Sequence, residues 1–173
     1  MNTVGRIIKI IEYISESTGK LASFLILASI FTVLFEVFMR YILSMSQSWT
    51  FEMSTFLFGV SFVLAGAYAL KQGSHVTIDI ISMRLTPRNR AILDIITSVL
   101  FFAFMIVLIW KGWDFAWRAL MLGERTDSAW APLRWPVKII IPVGAFLMLL
   151  QGIVKLIRDI LALTWKRSIS NGS

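Results

Sequence analysis

The 173-residue sequence contains no cysteine, one histidine and four prolines, and Lys, Arg, Asp and Glu together make up only 16% of it. Without cysteine there is no disulfide, no thiol nucleophile and no thiolate metal ligand, although this absence does not identify a compartment. A haem held between helices ordinarily takes two axial ligands, often histidines, so a lone His75 argues against a cytochrome subunit. No paired histidines and carboxylates have metal-ligand spacing, no glycine-rich loop is available to cradle a phosphate, and no serine is placed beside an oriented base. The expectation is a chain that is not an enzyme and carries no cofactor or metal of its own.

What the chain has in abundance is apolar length. Hydrophobic residues make up 57% and aromatic residues 13%, more than a water-soluble surface can tolerate. Residues 21–43, 49–70, 91–110 and 137–161 are four long apolar runs. At about 1.5 Å per residue, roughly 20 helical residues cross a hydrocarbon core of about 30 Å. The predicted fold class is therefore all-α: one integral membrane domain over residues 1–173, with four transmembrane helices and amphipathic interfacial helical segments. The net charge of +7 could suggest nucleic acid, but the basic residues sit at the ends of the apolar runs, so the expected contact is membrane lipid and no nucleic acid.

The distribution of those charges predicts an orientation. Arg6, Lys9 and Lys20 precede the first span; Lys71, Arg84, Arg88 and Arg90 lie between the second and third; Lys155, Arg158, Lys166 and Arg167 end the chain. These exceed the six on the other side, Arg40, Lys111, Arg118, Arg125, Arg134 and Lys138. By the positive-inside rule both termini face the cytoplasm, in a bacterial inner membrane whose outer face is periplasmic. The first run is too long for a signal peptide and no convincing small-residue cleavage site ends it.

Around the spans, residues 4–16 place Val4, Ile7, Ile8, Ile11 and Ile14 opposite Arg6, Lys9, Glu12 and Glu16, which predicts an amphipathic helix on the cytoplasmic interface. Residues 44–48 make a tight turn between spans one and two. Residues 76–86 are too apolar for a free loop and predict an interfacial segment ended by Pro87. The 111–136 connection is the largest outward one, and its first half continues the third helix. Its Trp113, Trp117, Trp130 and Trp135 fit an interfacial aromatic belt, with ligand stacking as the alternative.

Polar residues inside the spans are few. Glu36 and Arg40 stand one helical turn apart, and Glu52 lies just beyond the tight turn, so the expectation is an Arg40 held between two carboxylates; an ion or proton pathway along Glu36 or Glu52 is the alternative. Ser61, Ala65 and Ala69, with Gly59 and Gly66, make a small-residue face on span two that lets another helix approach, from this chain or another.

In order along the chain, Arg40-Tyr41, Trp49, Glu52, Gly66 to Lys71, His75-Val76-Thr77-Ile78-Asp79, Pro87-Arg88-Asn89-Arg90, Ser128-Ala129-Trp130, Pro142-Val143-Gly144 and Gln151-Gly152 resemble the small membrane subunit of tripartite ATP-independent periplasmic (TRAP) transporters, the DctQ-like family. The resemblance covers nearly the whole chain. It implies a non-catalytic scaffold that braces a large transmembrane transport subunit, with a soluble periplasmic binding protein delivering an organic acid and the sodium sites residing in the large subunit. His75 and Asp79 match the family's histidine and aspartate after span two and, four residues apart, could share a helical face that docks this segment. The rival readings are a self-sufficient oligomeric channel or carrier lined by Glu36, Glu52 or Gln151, and a membrane anchor for a redox enzyme.

Overall fold

The apolar runs form helices because each is an uninterrupted stretch in which every backbone polar group can be satisfied within the segment, the condition hydrocarbon imposes. The computed structural model describes residues 3–72 and 87–170, with side chains for 5–72 and 96–158. It contains four long helices: α1 Thr3–Ile42, α2 Ser48–Lys71, α3 Pro87–Met121 and α4 Trp135–Ser170. Each includes a stretch long and apolar enough to cross a membrane. No β-strand occurs among the described residues, only an isolated bridge between Arg125 and Leu133.

Two helical hairpins lie side by side. α1 packs on α2, α3 packs on α4, and α2 and α4 form the seam between the hairpins, with a smaller α1–α4 contact. The most apolar stretches of α2 and α4 are accordingly 28% and 33% buried, against 11% for α1 and for α3. The outer helices present rows of large apolar side chains to the surroundings, such as Phe24, Phe31 and Phe38 at two-turn spacing on α1. Such surface is stable in lipid and not in water.

Small residues set how closely the helices approach, as expected where lipid removes the hydrophobic driving force between them. A Cβ added at Gly144 of α4 would overlap the Val63 side chain of α2 and come within 3.2 Å of its carbonyl oxygen. Gly66 likewise admits Met148, with Sδ 2.8 Å from where a Cβ would stand. Ser61 is fully buried on the same helix. Of the small residues singled out on span two, Ser61 is buried and Gly66 lies against Met148. Ala65 and Ala69 are only half-buried, and Gly59 faces open space, because the helix presents Ala67 and Leu64 to its neighbours instead.

One sequence expectation changes. Residues 4–16 do not form a separate helix, since α1 runs without a break from residue 3 to residue 42; their helical period is in phase with the span that follows. The first half of the 111–136 connection continues α3 to Met121, as expected, and α4 begins at Trp135. Gly123 ends α3 at φ 58°, with Glu124 N–H returning to the Ala119 carbonyl at 3.0 Å, the left-handed cap that glycine accepts most easily. The predicted interfacial segment 76–86, with His75 and Asp79, lies outside the described residues.

Candidate functional site

At the turn joining α1 to α2, Glu36 is the hub. Arg40 Nη2 lies 2.6 Å from Glu36 Oε1, one turn along the same helix. The Thr50 hydroxyl contacts Glu36 Oε2 and also lies 2.7 Å from the Gln47 carbonyl. Thr50 is 1% exposed, whereas the Arg40 side chain is 56% exposed, so the carboxylate joins an inward hydroxyl to an outward cation. Nearby, Trp49 packs its ring 5.9 Å from Phe35.

Glu52 does not join this group. Its Oε2 accepts a 3.1 Å hydrogen bond from Thr126 in the loop between α3 and α4. The expected Arg40 flanked by two acids is therefore corrected to an Arg40–Glu36 pair, with Glu52 recruited by a loop that is distant in sequence. That loop forms a directional relay. Thr126 donates its one hydroxyl proton to Glu52, which leaves Ser128 as the donor across the 3.2 Å to Thr126, and Ala131 N–H donates to Ser128 Oγ at 3.1 Å. The Thr126 N–H bonds the Pro132 carbonyl and the Arg134 N–H bonds the Glu124 carbonyl, closing the loop.

Glu124 anchors the same loop to α4 through Lys138 and through Arg134 Nη1 at 3.2 Å. The hydrogen bond from Lys138 holds the Glu124 carboxyl below its ordinary value of 4.5, with Arg134 acting in the same direction and partial desolvation opposing both. Around this end Trp113, Trp117 and Trp130 are about half exposed, at 55%, 49% and 43%, and Trp135 is half-buried. Lys111 sits 4.5 Å over the Trp110 ring. These amphipathic rings, with cations beside them, have the composition of a membrane boundary.

A third polar group lies at the opposite end and was not identified in the sequence. Glu12 of α1 meets Arg158 of α4, and Glu16 of α1 lies 3.2 Å from Lys71 of α2 and 3.3 Å from Lys20. Lys71 Nζ also reaches the Glu12 carbonyl at 3.4 Å. Just inside, buried Ser15 lies 3.2 Å from Oε1 of buried Gln151. Three helices are tied together here. The available signal was the placement of Glu12, Glu16, Lys71 and Arg158 at one predicted boundary, with opposite charges on different segments.

These arrangements fasten helices to one another. Among the described residues, no group of three or more His, Asp or Glu side chains is placed to hold a metal ion. Ser29 spends its hydroxyl on the Ser54 carbonyl at 3.1 Å, across α1 and α2. Other hydroxyls inside the spans, such as Thr32, Thr55 and Ser61, bond carbonyls of their own helix.

The chain is similar to known proteins over most of its length. The family described as "Tripartite ATP-independent periplasmic transporters, DctQ component" matches residues 29–162, from the middle of α1 to the last turns of α4. A relative from Oleidesulfovibrio alaskensis strain G20, the isethionate TRAP transporter permease protein DctMQ, is 30% identical over 140 residues. The match covers 78% of this chain and 21% of that protein, so the chain corresponds to about a fifth of its relative's length. With four membrane-length helices in two apposed hairpins and the family match running through all of them, the chain belongs to the DctQ component family of tripartite ATP-independent periplasmic transporters.

Proposed function

We propose that this chain is the small scaffold subunit of a sodium-driven, binding-protein-dependent transporter for organic acids, and that it braces a large transmembrane subunit carrying the substrate and sodium sites. The observation that carries the reading is the contrast between locked interiors and free faces. The seam between the hairpins is closed at Gly144–Val63 and Gly66–Met148, while the apolar faces of α1 and α3 remain largely uncovered. A body of this kind can resist displacement by a moving neighbour and offers that neighbour broad apolar area. The relative supports a larger partner, because the part similar to this chain shares one polypeptide with a further four-fifths of a protein named as a permease. Its named substrate, isethionate, is an organic sulfonate, which supports the substrate class without specifying the acid for this chain.

In this reading the protein sits in the bacterial inner membrane with both termini cytoplasmic, the large subunit is a permanent partner, and a periplasmic substrate-binding protein docks transiently. Purification of the tagged chain in mild detergent should bring the large subunit with it. Reconstituted sodium-driven uptake should require both subunits and the binding protein. Uptake by this chain alone in proteoliposomes would overturn the scaffold role, and a reporter fused after Ser173 that behaves as periplasmic would overturn the orientation.

A further inference from the structure

The charges on the first five turns of α1 are sorted by side. Glu12 and Glu16 turn toward Arg158 and Lys71 of the neighbouring helices. Arg6 and Lys9 are exposed and have no ion-pair partner among the described residues. The outward face has cations that no acid answers among the described residues. It is apolar as well: Ile7, Ile10, Tyr13 and Leu21 are each more than half exposed. Tyr13, Ile14, Ser17, Thr18 and Leu21 line a shallow, almost wholly apolar groove along it.

Depth gives this face its meaning. The 40 residues of α1 extend about 60 Å, twice a hydrocarbon core of about 30 Å. Measured down from Glu36, the polar hub at the opposite end, roughly 20 residues exhaust the hydrocarbon near Glu16. The groove of residues 13–21 then straddles the hydrocarbon edge and the preceding turns run outward through the headgroup region, where a bare row of isoleucines facing water would be unfavourable. The order along the helix fits lipid: the groove lies nearer the hydrocarbon, and Arg6 and Lys9 lie one turn further out, with Lys9 above Tyr13 and Arg6 above Ile10 at i,i+4 spacing. A phospholipid has the complementary order, acyl chain inward and phosphate outward. An apolar protein surface would match the groove and leave both cations unanswered.

We propose that residues 5–21 of α1 form a binding site for an anionic phospholipid in the leaflet next to the chain termini, with Arg6 and Lys9 holding the headgroup and the Tyr13–Leu21 groove receiving the upper acyl chain. Inward pairing of Glu12 and Glu16 is what makes the site selective, since either acid turned outward would cancel the attraction. The lipid would hold the extension of α1 at fixed depth.

The full chain, purified in detergent, is titrated with dioleoylphosphatidylglycerol and with dioleoylphosphatidylcholine, and bound lipid is counted by native mass spectrometry. Phosphatidylglycerol should bind preferentially, and the Arg6→Gln/Lys9→Gln double variant should lose roughly tenfold of that preference. Arg6→Lys/Lys9→Arg should keep it, as should Lys111→Gln at the opposite end of the bundle. Equal binding of the two lipids, or a preference unchanged in the double variant, overturns the site. Because the sequence has no cysteine, a nitroxide on Tyr13→Cys reports this face cleanly. It should remain accessible to dissolved oxygen in bilayers both for the chain alone and in the assembled transporter; loss of access on assembly would mean that protein covers the groove, and would also overturn the proposal. The lipid titration needs this chain alone, so its failure is distinct from failure of the scaffold reading.

Discussion

Thr126 Oγ1 donates to Glu52 Oε2 across 3.1 Å, which hydrogen-bonds the loop between α3 and α4 to the second turn of α2. This bond joins the two hairpins at the end of the molecule opposite the Ser15–Gln151 contact, 3.2 Å long and 136 residues apart in sequence. Between these two polar ties the hairpins meet at the glycine approaches of α2 and α4. The seam is therefore pinned at both ends by directional bonds and in the middle by shape.

Removing the loop tie should loosen the loop and leave the spans intact. Thr126→Val deletes the donor that answers Glu52 and breaks the relay through Ser128, at a cost of about 1 kcal/mol for one hydrogen bond. Amide hydrogen exchange should accelerate across residues 124–134 and stay unchanged in the middle of α2. Faster exchange throughout α2 would show that the bond supports the whole hairpin.

At the other loop, the hub matters more than the cation. Glu36 contacts both Thr50 and Arg40, whereas Arg40 is largely exposed and pairs within its own helix. Glu36→Ala should therefore lower the melting temperature of the detergent-solubilised chain more than Arg40→Ala does. Such exposed i,i+4 ion pairs contribute little by themselves. If Arg40→Ala proved the more damaging, the guanidinium would have to hold something besides Glu36.

The contrast between Glu36 and Glu52 marks how far the sequence could be read. Arg40 meets Glu36 because four residues on a helix are neighbours, a relation encoded locally. The four spans were legible for the same reason, since hydrophobic length is a property of each segment alone. Glu52 was nearer to Arg40 along the chain than to Thr126, yet a loop 74 residues away claimed it. Glu12 with Arg158 and Ser15 with Gln151 follow from α1 lying beside α4, an adjacency that no local pattern specifies. The continuity of α1 was hidden because an amphipathic surface helix and an extension of a span have the same period, and only packing against α2 and α4 distinguishes them.

Loop packing should also respond to acid. Glu124 has its pKa depressed chiefly by the Lys138 hydrogen bond and then by Arg134. A depressed carboxyl contributes stability that is present above its unfolded value, near 4.5, and is lost as pH falls through the lower folded value. Protease cleavage within the loop in proteoliposomes should stay slow through pH 4.5 and rise only below it. Glu124→Gln should cleave faster at neutral pH and lose that acid dependence; a variant with the native profile would show that Glu124 does not govern the transition.

The sharpest test of the seam lies at its closest approach. Gly144→Ala introduces a methyl where the Val63 side chain already stands, with the Val63 carbonyl 3.2 Å away, so α2 and α4 must separate or Val63 must leave its rotamer. Overpacking of this kind costs about 1–3 kcal/mol. Val63→Ala alone should cost less, by opening a small void at a half-buried position. In the double variant the added methyl occupies the space that Val63 vacates, so the two losses should not add: Val63→Ala/Gly144→Ala should be more stable than Gly144→Ala alone. The cycle is read from thermal unfolding of the four proteins in one detergent. If the seam is the rigid element of a scaffold, reconstituted uptake should fall in Gly144→Ala and recover in the double variant in step with stability. Additive losses would mean that Gly144 and Val63 do not meet, and would remove the contact on which the apposition of the hairpins depends.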